Sequence, residues 1–255
     1  MTNSAQNVVL WGIPRSVSTA FEKTFANRSD TYAIHEPFAE CYYFGRDRKS
    51  SRYGEEANKN SYTKEDAYNR IFINTHPITF TKDLTFQAHH YISDEFLEKV
   101  TSSFIMRHPY KVFSSLKKLK PDFTREEFGF QSFEKMWNQV KDVQGKEAVL
   151  VEGEIFQQSP KQVLEEYCEK VGVEFQASML TWEDGKLQEW GKGDEEVHTK
   201  WHKTLENSRS ILTSTSTDLD LEMNDEQKYI IDEAIEIYDR LLPFAIGNKT
   251  SLKNA

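Results

Sequence analysis

The chain has 255 residues with 41 acidic and 32 basic side chains, and its net charge of -9 excludes a general polyanion-binding surface, so any anion site has to be local. Hydrophobic residues make up 38%, with 17 Phe, 11 Tyr and 5 Trp supplying core mass. Cys41 and Cys168 are too few for a disulfide framework or a four-thiolate zinc site, and no run of 18 apolar residues occurs; the expectation is a cytoplasmic chain without a membrane span, nucleic-acid partner or metal.

In chain order, Met1 to Asn7 is polar and shows no apolar leader. Val8 to Trp11 is a short apolar run broken at Gly12-Ile13-Pro14, which predicts a buried strand ending in a turn. Ser18 or Thr19 is expected to cap a helix reaching Arg28. Further strands are predicted at Tyr32 to His35, Ile78 to Lys82, Ser103 to Met106 and Ala148 to Glu152. Helices are predicted at Lys64 to Phe72, Ser93 to Lys99, Tyr110 to Leu119, Phe130 to Val143, Pro160 to Val171 and Asp225 to Leu242, the last with an amphipathic stripe from Ile230 to Leu241. Cys41 to Tyr62 and Thr213 to Asp220 have no period and read as surface loops, and the tail from Asn248 as frayed. The alternation predicts an α/β chain with a central parallel sheet between helical layers.

Two joints carry cations where parallel sheets place their ligands. After the first strand comes Gly12-Ile13-Pro14-Arg15-Ser16-Val17-Ser18-Thr19. Against the ATP-binding frame G-x-x-x-x-G-K-[ST], Gly12 and Thr19 match, whereas Val17 and Ser18 replace the Gly-Lys pair and the cation has moved to Arg15. After the fourth strand, Arg107-His108-Pro109 leads into a helix bearing Ser115.

Together these stretches resemble the sulfotransferases that use 3′-phosphoadenosine 5′-phosphosulfate (PAPS), whose 5′-phosphosulfate loop reads P-[KR]-S-x-[ST]-[ST] and whose 3′-phosphate motif reads R-x-P-x-x-x-x-x-S. A third stretch, Val149 to Phe156 followed by Ser159-Pro160, looks like the family's next strand and turn, with Gly153 and Ile155 where the family carries Tyr and Asp. The resemblance spans roughly residues 7 to 175 and implies a three-layer P-loop-like fold, with one domain over residues 1 to 255. Residues 176 to 245 would cover the cofactor and acceptor. It also implies PAPS as co-substrate, no metal, and a small-molecule acceptor with a hydroxyl or amine. Monomer and homodimer stay open.

By the same resemblance, Pro14, Arg15, Ser16, Val17, Ser18 and Thr19 would bind the 5′ end, Arg107 and Ser115 the 3′-phosphate, and Trp201, Ser208 and Arg209 the late covering loop. Arg15 and Lys82 would act on the moving sulfuryl group. Glu36 lies 21 residues beyond Arg15, similar to where the tyrosylprotein branch carries its catalytic glutamate, which makes it the first candidate base; pairing with Arg15 is its alternative role. The cytosolic branch has a Lys-x-His arrangement that Lys82-Asp83-Leu84 lacks, so His89, His90 and Asp83 stand as other candidates. Glu36, Glu40, Tyr42, Tyr43, Asp83 and the Trp182 to Trp201 stretch suit a cationic or polar acceptor, of the kind represented by guanidinium alkaloids. An ATP-dependent P-loop kinase and a non-catalytic nucleotide-binding protein of the same fold are the competing readings.

Overall fold

A computed structural model describes residues 5–54, 61–182, 210–211 and 222–248. Five strands, β1 (Gln6–Gly12), β2 (Thr31–His35), β3 (Ile78–Leu84), β4 (Thr101–Met106) and β5 (Val149–Glu152), form one sheet in the order β2-β3-β1-β4-β5. Every neighbouring pair is parallel. From β1 the chain goes to the edge strand β2 and fills the gap with β3, then crosses to the other side of β1 and adds β4 and β5 outward. That order leaves the carboxyl end of β1 at the switch point, where open α/β sheets bind ligands.

The helices are α1 (Ser18–Ala26), α2 (Pro37–Tyr43), α3 (Lys64–Phe72), α4 (Thr85–Ala88), α5 (Asp94–Leu97), α6 (Pro109–Leu119), α7 (Arg125–Phe128), α8 (Phe130–Gln144), α9 (Gly153–Gln158), α10 (Pro160–Val171) and α11 (Asp225–Leu241). Strand β1 explains their two layers. Val8 and Leu10 point into a core with Phe21 and Phe25 of α1 and Val163, Leu164 and Tyr167 of α10. Val9 and Trp11 point the other way, into a core holding Phe133, Met136 and Trp137 of α8 and the apolar stripe of α11. With both faces covered, the strand reads as an unbroken apolar run rather than an alternation. Phe25 stacks on Phe80 at 4.0 Å between ring centres, one of the aromatic contacts that each add about 0.5–1.5 kcal/mol beyond burial.

The predicted α/β alternation is present, and the differences lie at its edges. Helix α1 begins at Ser18 but is preceded by Val17 in the capping position, and it stops at Ala26 rather than Arg28. The helix predicted over Ser93 to Lys99 is the single turn of α5. The stretch from Cys41 is not a loop at its start, because Cys41, Tyr42 and Tyr43 end α2 and the first two are buried. Its later part is pinned by Arg52, which donates to Asp122 Oδ2 at 2.8 Å and to Glu127 Oε1 at 2.9 Å. Thr213 to Asp220 lies outside the described residues. Among the described residues, no helix is long and apolar enough to cross a membrane.

Candidate active site

Gly12, His35, Lys82, Met106 and Glu152 all stand at the carboxyl end of the sheet, because parallel strands finish on one edge. From Gly12 the chain turns into α1 through Pro14, Arg15, Ser16 and Val17. Arg15 (φ 60°) and Val17 (φ 72°) both hold left-handed backbone. Ser16 Oγ donates to Ile13 O at 2.7 Å and closes the turn. Two glycines press on it from outside. A Cβ at Gly129 would lie 2.9 Å from Pro14 Cδ, and one at Gly153 would lie 2.7 Å from Ser16 O.

Ser18 and Thr19 are buried inside the first turn of α1 rather than capping it. No side chain among the described residues caps this helix, and its first turn holds no acidic residue. The opening N–H groups and the positive end of the helix dipole therefore converge on the loop, a ready anion seat.

The second joint meets the first. Arg15 Nε donates to Ser115 Oγ of α6 at 2.9 Å, bridging the two motifs. Burial, reinforced by the neighbouring Arg107 charge, pulls the Arg15 guanidinium down to about 10. Burial also lowers Arg107, against the opposing pull of Glu154 and Glu152. Arg107 Nη2 lies 3.8 Å from Glu154 Oε1, and Lys111 Nζ 3.9 Å from the same oxygen. Arg107 Nε is buried with no hydrogen-bond partner among the described residues. Two mutually repelling guanidinium groups in one desolvated place are costly unless an anion joins them.

Glu36 heads α2 with φ 38° and accepts an ion pair from Lys82 Nζ. The backbone fixes their proximity, since Glu36 N donates to Lys82 O at 2.8 Å and His35 is in register with Lys82. Lys82 is almost wholly enclosed. Asp83 is fully enclosed too, and its carboxylate accepts from Phe38 N and Leu84 N, each at 2.7 Å, so it caps the start of α2. Burial and then Glu36 drive its carboxyl well above the usual range. Asp83 and Tyr42, expected to line an acceptor surface, are instead interior.

His89 and His90 stand apart from this cluster, after α4. His89 Nδ1 lies 3.0 Å from Thr85 O and His90 Nε2 lies 2.9 Å from Glu126 Oε1. His89 and Glu126 line a cavity of about 220 Å³ with Gln131, Ser132 and Lys135. One ligand atom each from His89, His90 and Glu126 comes within 4.8 Å of the others, although two of the three are exposed. Burial and then His90 lower His89. Trp201, Ser208 and Arg209 lie outside the described residues. Thr181 bridges to Ser210, and Lys23 lies over the Trp182 ring at 5.7 Å.

Sequence reading passed over Glu22, His35, Glu152 and the buttress glycines. Glu22 was the most findable, an acid one helical turn beyond Ser18 and beside the core residue Phe21.

A family model of the sulfotransferase domain matches residues 6–231. The chain belongs to the sulfotransferase family. Branched-chain-amino-acid aminotransferase-like protein 1 of Arabidopsis thaliana is 24% identical to this sulfotransferase over 186 residues, covering 71% of the chain and 33% of that protein. The sulfotransferase thus spans about a third of this curated relative's length. Among solved structures, the sulfotransferase domain from the curacin biosynthetic pathway superposes with a TM-score of 0.54 at 13% identity over 90% of this chain and 97% of that one. The sulfotransferase from Alicyclobacillus acidocaldarius gives a TM-score of 0.52 at 13% identity over 94% and 96%. At such identities these likenesses show the fold.

Proposed function

We propose that this sulfotransferase takes its sulfuryl group from PAPS and delivers it to a hydroxyl or amine of a small polar acceptor, in a cytoplasmic setting in keeping with its two buried free cysteines. The observation that carries the reading is the convergence of Arg15 and Arg107 on the uncapped start of α1. The orphaned Arg107 Nε and the open helix terminus fit a donor with anionic groups at both ends.

When bound, PAPS supplies an activated sulfuryl group that an in-line nucleophile accepts. The first turn of α1 and the loop from Pro14 to Thr19 would hold its 5′ end, and Arg107 its 3′-phosphate. Ser115 serves by orienting Arg15, through the bond their side chains make. Arg15 and Lys82 offer positive charge to the transferring oxygens, with no metal called upon. Glu36, held beside Lys82, takes the acceptor proton. Asp83 is committed to capping α2 and is a weaker choice of base. A kinase reading has Val17 and Ser18 against it, where ATP loops carry Gly and Lys.

Calorimetry tests the donor. The protein should bind 3′-phosphoadenosine 5′-phosphate (PAP) and ignore ATP with magnesium; tight binding of ATP alone would reject the reading. Arg107→Ala should weaken PAP roughly 10- to 100-fold and spare the nucleotide lacking the 3′-phosphate. Equal losses for both nucleotides would reject the role of Arg107.

A further inference from the structure

Behind Glu36 lies a second acid-base pair. Glu22 of α1 and His35 at the end of β2 are both buried, and Glu22 Oε2 stands 2.7 Å from His35 Nδ1. The other ring nitrogen, Nε2, faces Glu36 Oε1 at 3.8 Å. A carboxylate against Nδ1 selects the tautomer that carries its proton there, and so turns the Nε2 lone pair toward Glu36. Among the described residues, the charged and titratable groups around Glu36 include Glu22 from α1, His35 from β2, and Lys82 and Asp83 from β3.

We propose that Glu22 and His35 are positioning residues for Glu36, aiming its carboxylate and relieving it of the proton it removes from the acceptor. The inference rests on Glu36 being the base. The relay balances as proton transfer alone. As the acceptor O–H (or N–H) bond breaks, an O–H bond forms on Glu36. That bond breaks in turn as N–H forms at His35 Nε2, and the Glu22 carboxylate neutralises the imidazolium. The proton leaves to water once products depart. Contact between Nε2 and Glu36 requires an approach of about 1 Å to reach hydrogen-bond range. The outcome is a Glu36 returned to its anionic form, still paired with Lys82, before the next acceptor arrives.

The experiment needs no known acceptor for its main arm. In full-length protein saturated with PAP, carbon-13 labelled glutamate and nitrogen-15 labelled histidine report the Glu36 carboxyl and the His35 ring against pH. The Glu36 signal is the one that Glu36→Gln deletes. In the wild type the His35 ring should carry its proton on Nδ1, and the Glu36 and His35 signals should change together across the pH series. Glu22→Gln should alter the Glu36 curve, because the carboxylate that fixes the ring tautomer is gone. His35→Asn should remove the shared change. Glu22→Gln should also lower turnover about 10-fold while PAP affinity stays within about twofold, a split that a purely structural role would not give.

Identical Glu36 curves in wild type, Glu22→Gln and His35→Asn overturn the relay. If His35→Asn does not fold, the wild-type and Glu22→Gln curves decide alone. Release of PAP from PAPS over a panel of phenols, alcohols and amines separates failure of the base from failure of the relay. Full turnover in Glu36→Gln removes Glu36 as base and the relay with it. Lost turnover in Glu36→Gln with unchanged curves in Glu22→Gln removes the relay only.

Discussion

Arg15, Val17 and Glu36 adopt φ values of 60°, 72° and 38°, and among the described residues they are the only non-glycine positions with positive φ. Each such position costs on the order of 1–3 kcal/mol, the β-branched Val17 being the least suited to it. All three flank the carboxyl ends of β1 and β2, so the strain is gathered where the chemistry is proposed. Val17 takes a conformation that glycine adopts freely. At Glu36, replacement by Gln preserves size and backbone while removing the ionisable group. Glu36→Gln should therefore cut turnover at least ~100-fold and leave PAP affinity nearly unchanged; an unaltered turnover number would strike Glu36 from the mechanism. Arg15, Arg107 and Ser115 were legible because each sits in a local spacing. Glu22 and His35 were passed over because neither belongs to a motif, and the cover that buries α1 from Ser18 to Phe25 comes from tertiary packing rather than from the period of the helix.

The long elements could be read because their periods are long enough to see. The strands are apolar runs bounded by turns, and α11 shows its stripe over seventeen residues. Helices α2, α4, α7 and α9, of four to seven residues, contain two turns at most and carry no period. Pro37 at the first position of α2 and the capping-box pair Thr124 and Glu127 at α7 were signals the sequence did offer. Short elements nevertheless shape the site. Gly153 opens α9 against the first loop, where a Cβ would meet Ser16 O at 2.7 Å and Val17 Cγ2 at 3.0 Å. Val17 and Gly153 thus fit each other, the missing Cβ of one leaving room for the side chain of the other. Gly153→Ala should push the loop off its path and weaken PAP about 10-fold or more, since backbone oxygen yields less readily than a side chain. Gly145→Ala is the control, having no atom within 4 Å of its Cβ but a φ of 66°. Both variants should melt lower, and only Gly153→Ala should lose affinity; parallel affinity losses would show that α9 does not shape the loop.

For the whole molecule, a net charge of -9 is reconciled with anion binding by enclosing cations, and acids are enclosed with them. Glu152 ends β5 almost completely buried, its Oε2 accepting from Glu154 N and Ile155 N at 2.8 Å each. Its Oε1 has no hydrogen-bond partner among the described residues. Burial, seconded by the charge of Glu154, lifts this carboxyl from 4.5 to about 7. The folded protein therefore holds a proton that the unfolded chain has released over that interval. Stability from this group is fully present below pH 4.5 and is lost as pH rises from there through 7, a penalty on the order of 3 kcal/mol. Glu152→Gln keeps an amide oxygen for the two N–H donors and cannot ionise. In the ligand-free protein it should melt about 5 °C above wild type at pH 8.5 and match it near pH 4.5, because every other titrating group cancels in the difference. An offset of the same size at both pH values would mean that packing, not the buried charge, sets it.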